Sequence, residues 1–306
     1  MDKVLVLMST YNGEKYLREA IDSILNQTNV EVSLLVRDDG SKDATQDILQ
    51  KYQNQNKLKW YCGKNLGAQM SFMDLIFQAE EGWDFYAFAD QDDVWLNQKL
   101  SKAIEHLSKL SAPCRLYTGT PQFVDESLQP VAAEYKIPSK PYTFPQAFIK
   151  NMAIGCTMVM DEALLRMVKA YRPKSVPMHD RWVYLICLGM GGKLFYDHEP
   201  YLLYRRHENN ASGEKKSFDR WKARFNRLFQ EKGSIFNIAL EFDRGFGNVL
   251  SDNDKQLLDR ILQYKGSLKG KIALLSESEF KFSSISTKSI DMTDLMFAIR
   301  GLLGTA

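Results

Sequence analysis

A cluster of carboxylates follows a mostly apolar segment in the first third of the chain. Asp90, Asp92 and Asp93 lie within four residues, directly after the run 83–89, which predicts a buried strand. In open α/β sheets, ligands bind beyond the carboxyl ends of the strands, so these carboxylates are expected to face a ligand. Carboxylates this close repel one another unless a cation lies among them, and hard divalent cations prefer oxygen ligands. The alternative is a solvated acidic turn that caps the following helix, with Asp93 or Asn97 as the N-cap.

The first 110 residues contain the elements that would position this cluster. Apolar runs predict strands at 4–8, 32–36, 58–62 and 83–89, and helical spacing of apolar residues predicts helices at 14–27, 43–53, 69–79 and 97–110. This alternation is the signature of an α/β fold with a doubly wound, mostly parallel sheet. Because each strand ends in a polar loop, we expect those loops to meet at one edge of the sheet.

The pattern is less regular beyond residue 113. Further strands are predicted at 116–118, 122–124, 154–160, 194–196 and 201–204, and helices at 161–170, with Asp161 as its cap, and at 179–188. The proline-containing stretch 130–142 predicts a surface loop near an acceptor site.

The C-terminal region differs in character. Five large apolar residues share one helical face: Phe218, Trp221, Phe225, Leu228 and Phe229. Between residues 215 and 232, seven lysines and arginines surround that face against two acidic residues. This composition fits an interfacial helix on an anionic membrane, and equally a helix packed on the rest of the protein with a solvated basic face. Residues 251–306 predict further helices and a strand at 272–275.

Composition and charge exclude several classes of function. The net charge is +2, so no overall basic character indicates a nucleic-acid partner. Four dispersed cysteines form no Cys-x-x-Cys pair, which favours a reducing compartment and argues against zinc. The first residues lead directly into a predicted strand without a signal peptide, and no apolar run approaches the ~20 residues that cross a bilayer. We therefore expect a cytoplasmic protein, peripheral at the inner face of the cell membrane.

Four motifs follow one another along the chain: 9–14 (STYNGE), 36–41 (VRDDGS), 89–95 (ADQDDVW) and 179–182 (HDRW). In this order they resemble the family-two inverting glycosyltransferases, which have the GT-A fold. The segments 65–72 (NLGAQMSF), 90–95 (DQDDVW) and 204–210 (YRRHENN) are similar to bacterial rhamnosyltransferases of cell-surface polysaccharide assembly. The resemblance covers residues 3–210. It implies a GT-A catalytic domain at 1–213, with a nucleotide-sugar half at 1–112 and an acceptor half at 113–213, and a mainly helical appendage at 214–306.

The resemblance implies a nucleotide-sugar site in the first domain. The donor-binding residues that it implies are Thr10, Tyr11, Glu14, Asp38, Asp39, Asn65, Asp90, Arg205 and Arg206. Tyr11 would stack on the base, an aspartate of the second motif would accept its N3–H, and the arginines suit the diphosphate. A simple turn also explains the two aspartates, and solvation explains either arginine.

The resemblance also implies a divalent metal ion, Mg²⁺ or Mn²⁺, beside the diphosphate. Asp92 would bind it directly, Asp90 would contact the metal or the ribose, and His207 would be a further metal or diphosphate contact. The alternative for Asp93 is a helix cap. The alternative for His207 is a surface histidine in a polar loop.

Asp180 is the candidate general base, because family members carry an aspartate in this setting. An inverting transfer needs one carboxylate to take the proton from the acceptor hydroxyl as it attacks the anomeric carbon. The alternative is an N-cap of the helix that runs to Leu188, and the two roles are compatible.

The resulting hypothesis is a metal-dependent transfer of rhamnose from dTDP-β-L-rhamnose to a lipid-linked saccharide. A UDP-hexose donor is the alternative with the same mechanism. A non-catalytic sugar-nucleotide or glycan-binding module is the alternative of a different class, and Asp180 argues against it, because a binding module needs no base. A dinucleotide-dependent oxidoreductase is excluded, because the first loop has one glycine, Gly13, and no G-x-G-x-x-G. The sequence leaves the acceptor, the linkage and the oligomeric state open, and an oligomer is compatible with it.

Overall fold

The computed structural model describes residues 1–132, 141–148, 150–176, 178–207 and 234–263. Within them, the strands are β1 (Asp2–Thr10), β2 (Val30–Asp38), β3 (Lys59–Cys62), β4 (Phe85–Ala89), β5 (Val94–Trp95), β6 (Arg115–Gly119), β7 (Gln122–Val124), β8 (Val159–Asp161), β9 (Lys193–Asp197) and β10 (Leu202–Arg205). The α-helices are α1 (Leu17–Leu25), α2 (Thr45–Asn54), α3 (Ala68–Gln78), α4 (Lys99–Ser108), α5 (Phe144–Ala147), α6 (Glu162–Lys169), α7 (His179–Gly189), α8 (Ser234–Phe246) and α9 (Asp252–Gln263). A 3₁₀ turn covers Gly155–Thr157.

A seven-stranded sheet in the order β3-β2-β1-β4-β8-β6-β9 forms the centre of the first unit, which comprises Met1–Ile137 and Ala153–Asn210. The pairs from β3 to β4 are parallel, as is β6 with β9, while β8 runs antiparallel to both of its neighbours. A small second sheet has the order β5-β10-β7. The sheet is therefore mixed and mostly parallel, with helices as its connections, which confirms the predicted fold class.

The central strands are apolar because both of their faces are covered. Every residue of β4, and every residue from Val4 to Met8 in β1, is at most 6% exposed. These two strands carry the loops at the carboxyl edge of the sheet, so the rigid core lies directly beneath the predicted site.

Two local predictions are corrected and one is confirmed. The predicted strand 154–160 is instead the 3₁₀ turn followed by β8, because the N–H and the hydroxyl of Thr157 both donate to the C=O of Ile154, at 2.9 and 2.8 Å. Neither Asp93 nor Asn97 caps α4, which begins at Lys99 without a side-chain cap. The prediction for Asp161 is confirmed, since its Oδ1 accepts the N–H of Leu164 at 3.0 Å and caps α6.

The second unit comprises Pro138–Met152 and Ala211–Ala306. Its described part contains α5, α8 and α9, which agrees with a helical C-terminal region. Rings of Phe144 and Phe148 pack on Phe242 with centroids 5.2 and 5.8 Å away. The stretch 138–152, predicted to belong to the acceptor half, groups with this unit because α5 contributes to its aromatic core.

Several predicted features fall outside the described residues: most of the loop 130–142, the basic aromatic segment 215–232 and the strand 272–275. Among the helices that the structure describes, none has both the length and the apolar composition needed to cross a membrane.

Candidate active site

The carboxyl ends of β1, β2 and β4 bring the predicted loops to one edge of the sheet. In the parallel pairing, Thr10 lies opposite Asp38, and Met8 lies opposite Ala89. Three loops therefore lie side by side: the first loop (residues 10–14), the second loop (38–43) and the acidic loop (90–93).

The acidic loop gathers charged groups around Asp90. Nε2 of His207 lies 2.7 Å from Oδ2 of Asp92. Burial, followed by the charges of Asp92 and Asp180, raises the pKa of Asp90 to about 7. The fold thus places His207 against Asp92, although more than one hundred residues separate them in the sequence, and leaves Asp90 within the electrostatic influence of Asp92 and Asp180.

This donor set fits a hard divalent cation. Two carboxylates and one imidazole nitrogen suit Mn²⁺ and Mg²⁺. Among the described lysines and arginines, none lies within ion-pair distance of Asp90. Even partial burial of a carboxylate without a counter-charge is costly, so a cation bound among Asp90, Asp92 and His207 would lower the free energy of the site.

Asp93 belongs to a buried network rather than to an exposed turn. It is 1% exposed, and its Oδ1 accepts the backbone N–H of Arg205 at 3.2 Å. Burial raises its pKa well above the usual range of a carboxyl group. One ligand oxygen each from Asp90 and Asp93 and the Sγ of Cys156 lie within 4.8 Å of one another. The interpretation of the cluster as a solvated acidic turn is therefore wrong.

Arg205 braces the acidic loop from β10. Its side chain is 2% exposed; Nε donates to the C=O of Asp92 at 3.0 Å, Nη1 donates to the C=O of Glu126, and Nη2 pairs with the carboxylate of Glu19. The guanidinium also lies 4.5 Å from the centre of the Tyr16 ring. A diphosphate contact, as predicted, would require some of these bonds to break.

Arg206 lies in a different setting. Its guanidinium is 4.6 Å from the centre of the Phe123 ring, and its backbone N–H donates to Val124 at 2.8 Å. The side chain is partly exposed. Of the two arginines, Arg206 thus has the surroundings that suit the predicted diphosphate contact.

Lys99 is a buried amine beneath the acidic loop, and no motif in the sequence had indicated a role for it. It is 1% exposed, and its Nζ lies 3.4 Å from the centre of the Trp95 ring. Within the described part of the chain, Nζ has no hydrogen-bond partner. Burial lowers its pKa to about 7, against the opposing charges of Cys156 and Asp93.

A glutamine joins the acidic loop to the first loop. Oε1 of Gln91 accepts the backbone N–H of Tyr11 at 2.8 Å, and Nε2 donates to the C=O of Tyr11 at 3.1 Å. Tyr11 is 43% exposed, so its ring is open to the base stacking that the resemblance implies. Gln91 lies inside one of the quoted motifs, but residue type alone gave it no role.

Asp38, predicted to contact the donor, is fully buried. Its carboxylate accepts hydrogen bonds from the Thr10 hydroxyl at 3.2 Å, the Ser41 N–H at 3.0 Å and the Gln46 amide at 2.8 Å. These bonds fix the shape of the second loop, and Thr10, itself 1% exposed, takes part in that internal network.

Asp39 organises the loop before α3. Its carboxylate accepts the N–H groups of Leu66 and Gly67 at 2.8 and 2.9 Å, and pairs with the buried guanidinium of Arg37. Gly67 has a φ of +75°, a conformation that favours glycine. The neighbouring Asn65 accepts the Gly67 N–H at 3.2 Å and remains exposed at the mouth of the site.

Glu14 connects the first and second loops. Its Oε2 accepts the N–H of Ala44 at 2.9 Å, and its own N–H donates to Asp43 at 3.0 Å. The residue is exposed, so this carboxylate both orders the start of α2 and borders the predicted donor site.

Asp180 lies in the first turn of α7, one residue after the helix begins, so it is not the N-cap. Its Oδ1 accepts the N–H of Arg181 at 2.5 Å. The preceding residue, His179, is 3% exposed and stacks on Phe72 with ring centroids 4.0 Å apart. It also meets Phe88 edge-on at 4.8 Å. Since Phe88 is two residues before Asp90, this packing holds the start of α7 over the end of β4.

A glycine permits this close approach. A Cβ placed on Gly155 would lie 2.8 Å from Nε2 of His179 and 3.6 Å from the Cβ of Asp180. Burial lowers the pKa of His179 to about 3, so the imidazole is neutral and serves as an aromatic anchor.

Comparison with known proteins identifies the family. The sequence model of glycosyl transferase family 2 matches residues 5–167, which include the first, second and acidic loops. The chain belongs to glycosyl transferase family 2. This confirms the resemblance seen in the motifs and makes the protein a glycosyltransferase.

One relative is similar to this protein over most of its length. The dTDP-rhamnosyl transferase RfbG of Shigella flexneri is 29% identical over 239 residues, which cover 72% of this chain and 78% of the relative.

Two solved structures share the fold. TarS 1–349 of S. aureus, solved with UDP-GlcNAc, has a TM-score of 0.58 at 19% identity, over 90% of this chain and 77% of that one. The mannosyltransferase PcManGT of Pyrobaculum calidifontis, solved with GDP-Man and Mn²⁺, has a TM-score of 0.52 at 15% identity, over 99% and 88%. These similarities establish the GT-A architecture.

Proposed function

We propose that this family 2 protein is an inverting, metal-dependent glycosyltransferase that transfers L-rhamnose from dTDP-β-L-rhamnose to a lipid-linked saccharide of cell-surface polysaccharide synthesis. The observation that carries the proposal is the packing of the start of α7, which holds Asp180, against the end of β4 that leads into the acidic loop: the ring of His179 stacks on Phe72 and meets Phe88 edge-on, two residues before Asp90. A carboxylate on a helix thus faces a cluster of metal-binding type, which gives the site a candidate base as well as candidate ligands. The rhamnosyl donor is supported by the likeness to RfbG.

The donor would lie along the three loops. Tyr11 would stack on the base, and Thr10, Glu14, Asp38, Asp39 and Asn65 would form the walls and floor of the nucleotide pocket. Arg206 would contact the diphosphate, since arginine suits phosphate oxygens. Asp90, Asp92 and His207 would hold the Mg²⁺ or Mn²⁺ ion, which when bound neutralises the charge that develops on the leaving diphosphate.

Asp180 would act as the general base. Its carboxylate accepts the proton of the acceptor hydroxyl while that oxygen forms a bond to the anomeric carbon. The bond from that carbon to the diphosphate breaks on the opposite face, so the β-L-rhamnosyl donor gives an α-L-rhamnoside. The acidic loop is in place before the substrate arrives, because Arg205 and the core strands hold it there.

We place the reaction at the inner face of the membrane, because a lipid-linked acceptor is anchored there. The basic aromatic segment 215–232 supports a peripheral contact with anionic lipid.

A donor panel tests the proposed function. The protein is incubated with dTDP-rhamnose, UDP-glucose, UDP-galactose or UDP-N-acetylglucosamine and a lipid-linked acceptor, with Mn²⁺, Mg²⁺ or chelator, and release of nucleoside diphosphate is measured. We expect turnover of dTDP-rhamnose that chelator abolishes. Turnover of a UDP-sugar alone would keep the mechanism and reject rhamnose. Absence of nucleoside diphosphate release from every donor would favour the non-catalytic binding module.

A further inference from the structure

The first loop is bonded to two different neighbours. Backbone N–H groups of residues 12 to 14 donate to side chains of the second loop and of the start of α2. Tyr11 is bonded in the other direction, to Gln91 of the acidic loop, through both its N–H and its C=O. Among the described hydrogen bonds, the Gln91 amide is the link between the first loop and the acidic loop.

The geometry of this link is specific to an amide. One side-chain oxygen accepts and one side-chain nitrogen donates, so the amide pairs with the Tyr11 peptide as a neighbouring strand would. A carboxylate cannot donate to the C=O, and an apolar side chain can do neither. The Tyr11 backbone is therefore fixed relative to the acidic loop that holds Asp90 and Asp92.

Gly13 makes room for the amide. A Cβ on Gly13 would lie 2.3 Å from Oε1 and 2.7 Å from Cδ of Gln91. The backbone of Gly13 has a negative φ, so a side chain there is excluded by space rather than by conformation. The atoms that it would meet are the far end of a flexible side chain, so an alanine at this position would displace the amide without disturbing the fold.

We propose that Gln91 is a positioning residue that couples the base-binding end of the donor site to its diphosphate end, and that residue 13 is glycine to admit the Gln91 amide. The inference rests on the proposed function, in which Tyr11 stacks on the base and the acidic loop serves the diphosphate. A donor that satisfies one end of the site then finds the other end already placed, at no further cost in loop ordering.

A double-mutant cycle on the full chain tests this role. Affinity for dTDP and for UDP is measured by calorimetry at saturating Mn²⁺ for wild type, Gln91→Ala, Gly13→Ala and the double variant. In either single variant the first loop must be ordered when the nucleotide binds, so affinity is expected to be about tenfold lower. Because Gly13→Ala acts only by displacing Gln91, the double variant is expected to bind like either single variant, and not with the product of the two losses.

Matched measurements separate positioning from folding. Gln53→Ala is the control, since its side chain also accepts a backbone N–H, that of Trp60 at 3.2 Å, away from the site; its affinity is expected to equal that of wild type. Thermal unfolding verifies that each variant folds, and Gln91→Met, which keeps the side-chain length, carries the test if Gly13→Ala does not fold. In donor turnover, KM is expected to rise while kcat changes little.

Specific results would overturn the inference, either alone or together with the proposed function. Wild-type affinity in Gln91→Ala and Gln91→Met, or losses that multiply in the double variant, would overturn it while leaving the proposed function intact. Failure of wild type to bind either nucleotide would overturn both.

Discussion

Asp90 and Asp180 are two carboxylates of one site whose surroundings suit different tasks. Asp180 lies in the first turn of α7, where the helix dipole favours the charged form that a base needs. Asp90 is partly buried beside Asp92, and its raised pKa marks a position where a cation is favourable. This division of environments supports the proposed roles, with the base on the helix and the metal at the loop.

Replacing Asp180 by asparagine is expected to abolish transfer without weakening donor binding. The amide keeps the size of the side chain but cannot take the proton, and general-base catalysis is worth about 10²- to 10⁴-fold in rate. Turnover of the preferred donor gives kcat, and calorimetry with the nucleoside diphosphate gives the affinity. Asp47→Asn, in the first turn of α2 and exposed, makes the same chemical change at a remote helix start. Near-normal kcat in Asp180→Asn would remove this residue from the mechanism.

Replacement by lysine is expected to lower stability at Arg205 and to weaken donor binding at Arg206. Arg205→Lys loses the fork that binds Asp92, Glu126 and Glu19, so the free energy of unfolding should fall by about 2 kcal/mol. Arg206→Lys should change stability little and raise the donor KM, because its guanidinium is partly exposed. Urea unfolding and donor kinetics on both variants separate the two roles. Normal stability with a raised KM in Arg205→Lys would restore the diphosphate contact predicted from the sequence.

At the scale of elements, local pattern predicted which segments become strands and helices, but not how they pair. The parallel order of β1, β2 and β4 follows from apolar runs joined by helices. The insertion of β8 between β4 and β6, and the small sheet of β5, β10 and β7, depend on contacts between distant segments. Arg205 and Glu19 meet across 186 residues, and no periodicity encodes that distance. Motif order identified the loops, whereas burial decides which of their side chains face a ligand.

The start of α7 is predicted to make stability depend on pH. His179 has a pKa of about 3 in the folded protein against about 6.5 in an unfolded chain, so between these values the unfolded chain binds the additional proton. Stability contributed by the neutral ring is therefore complete above pH 6.5 and is lost on acidification, with a slope of up to about 1.4 kcal/mol per pH unit. Chemical denaturation between pH 4.5 and 7.5 measures this slope.

Two variants separate the effect of the His179 ring on the pH dependence of stability from the effect of the carboxylates. His179→Phe keeps an aromatic ring between Phe72 and Phe88 but cannot take up this proton, so the free energy of unfolding of wild type minus that of the variant should fall steadily as the pH falls. His198→Phe, at an exposed position, should follow the wild-type curve. Parallel curves for wild type and His179→Phe would show that the histidine binds its proton as readily in the folded protein as in the unfolded chain.

At the scale of the whole molecule, charge is distributed unevenly along the chain. The net charge is only +2, yet residues 215–232 hold seven basic and two acidic side chains around five large apolar ones. This segment lies outside the described residues, so its role is a prediction from sequence. A surface that gathers positive charge and aromatic groups suits the anionic, interfacial region of a membrane.

We expect the protein to bind vesicles of anionic phospholipid at low salt and to dissociate as salt is raised. The reason is that salt screens the attraction between basic side chains and lipid, since the Debye length falls from about 30 Å at 0.01 M to about 3 Å at 1 M. At about 1 kcal/mol for each basic residue near the surface, the triple variant Lys222→Gln, Arg224→Gln, Arg227→Gln should bind about a hundredfold more weakly. The triple variant Lys57→Gln, Lys59→Gln, Lys109→Gln removes the same charge from exposed positions of the first unit and should bind like wild type. Vesicle sedimentation measures all three proteins. Absence of binding at every salt concentration would leave the alternative, a basic helix packed on the catalytic domain, and would place recognition of the lipid-linked acceptor in the active site alone.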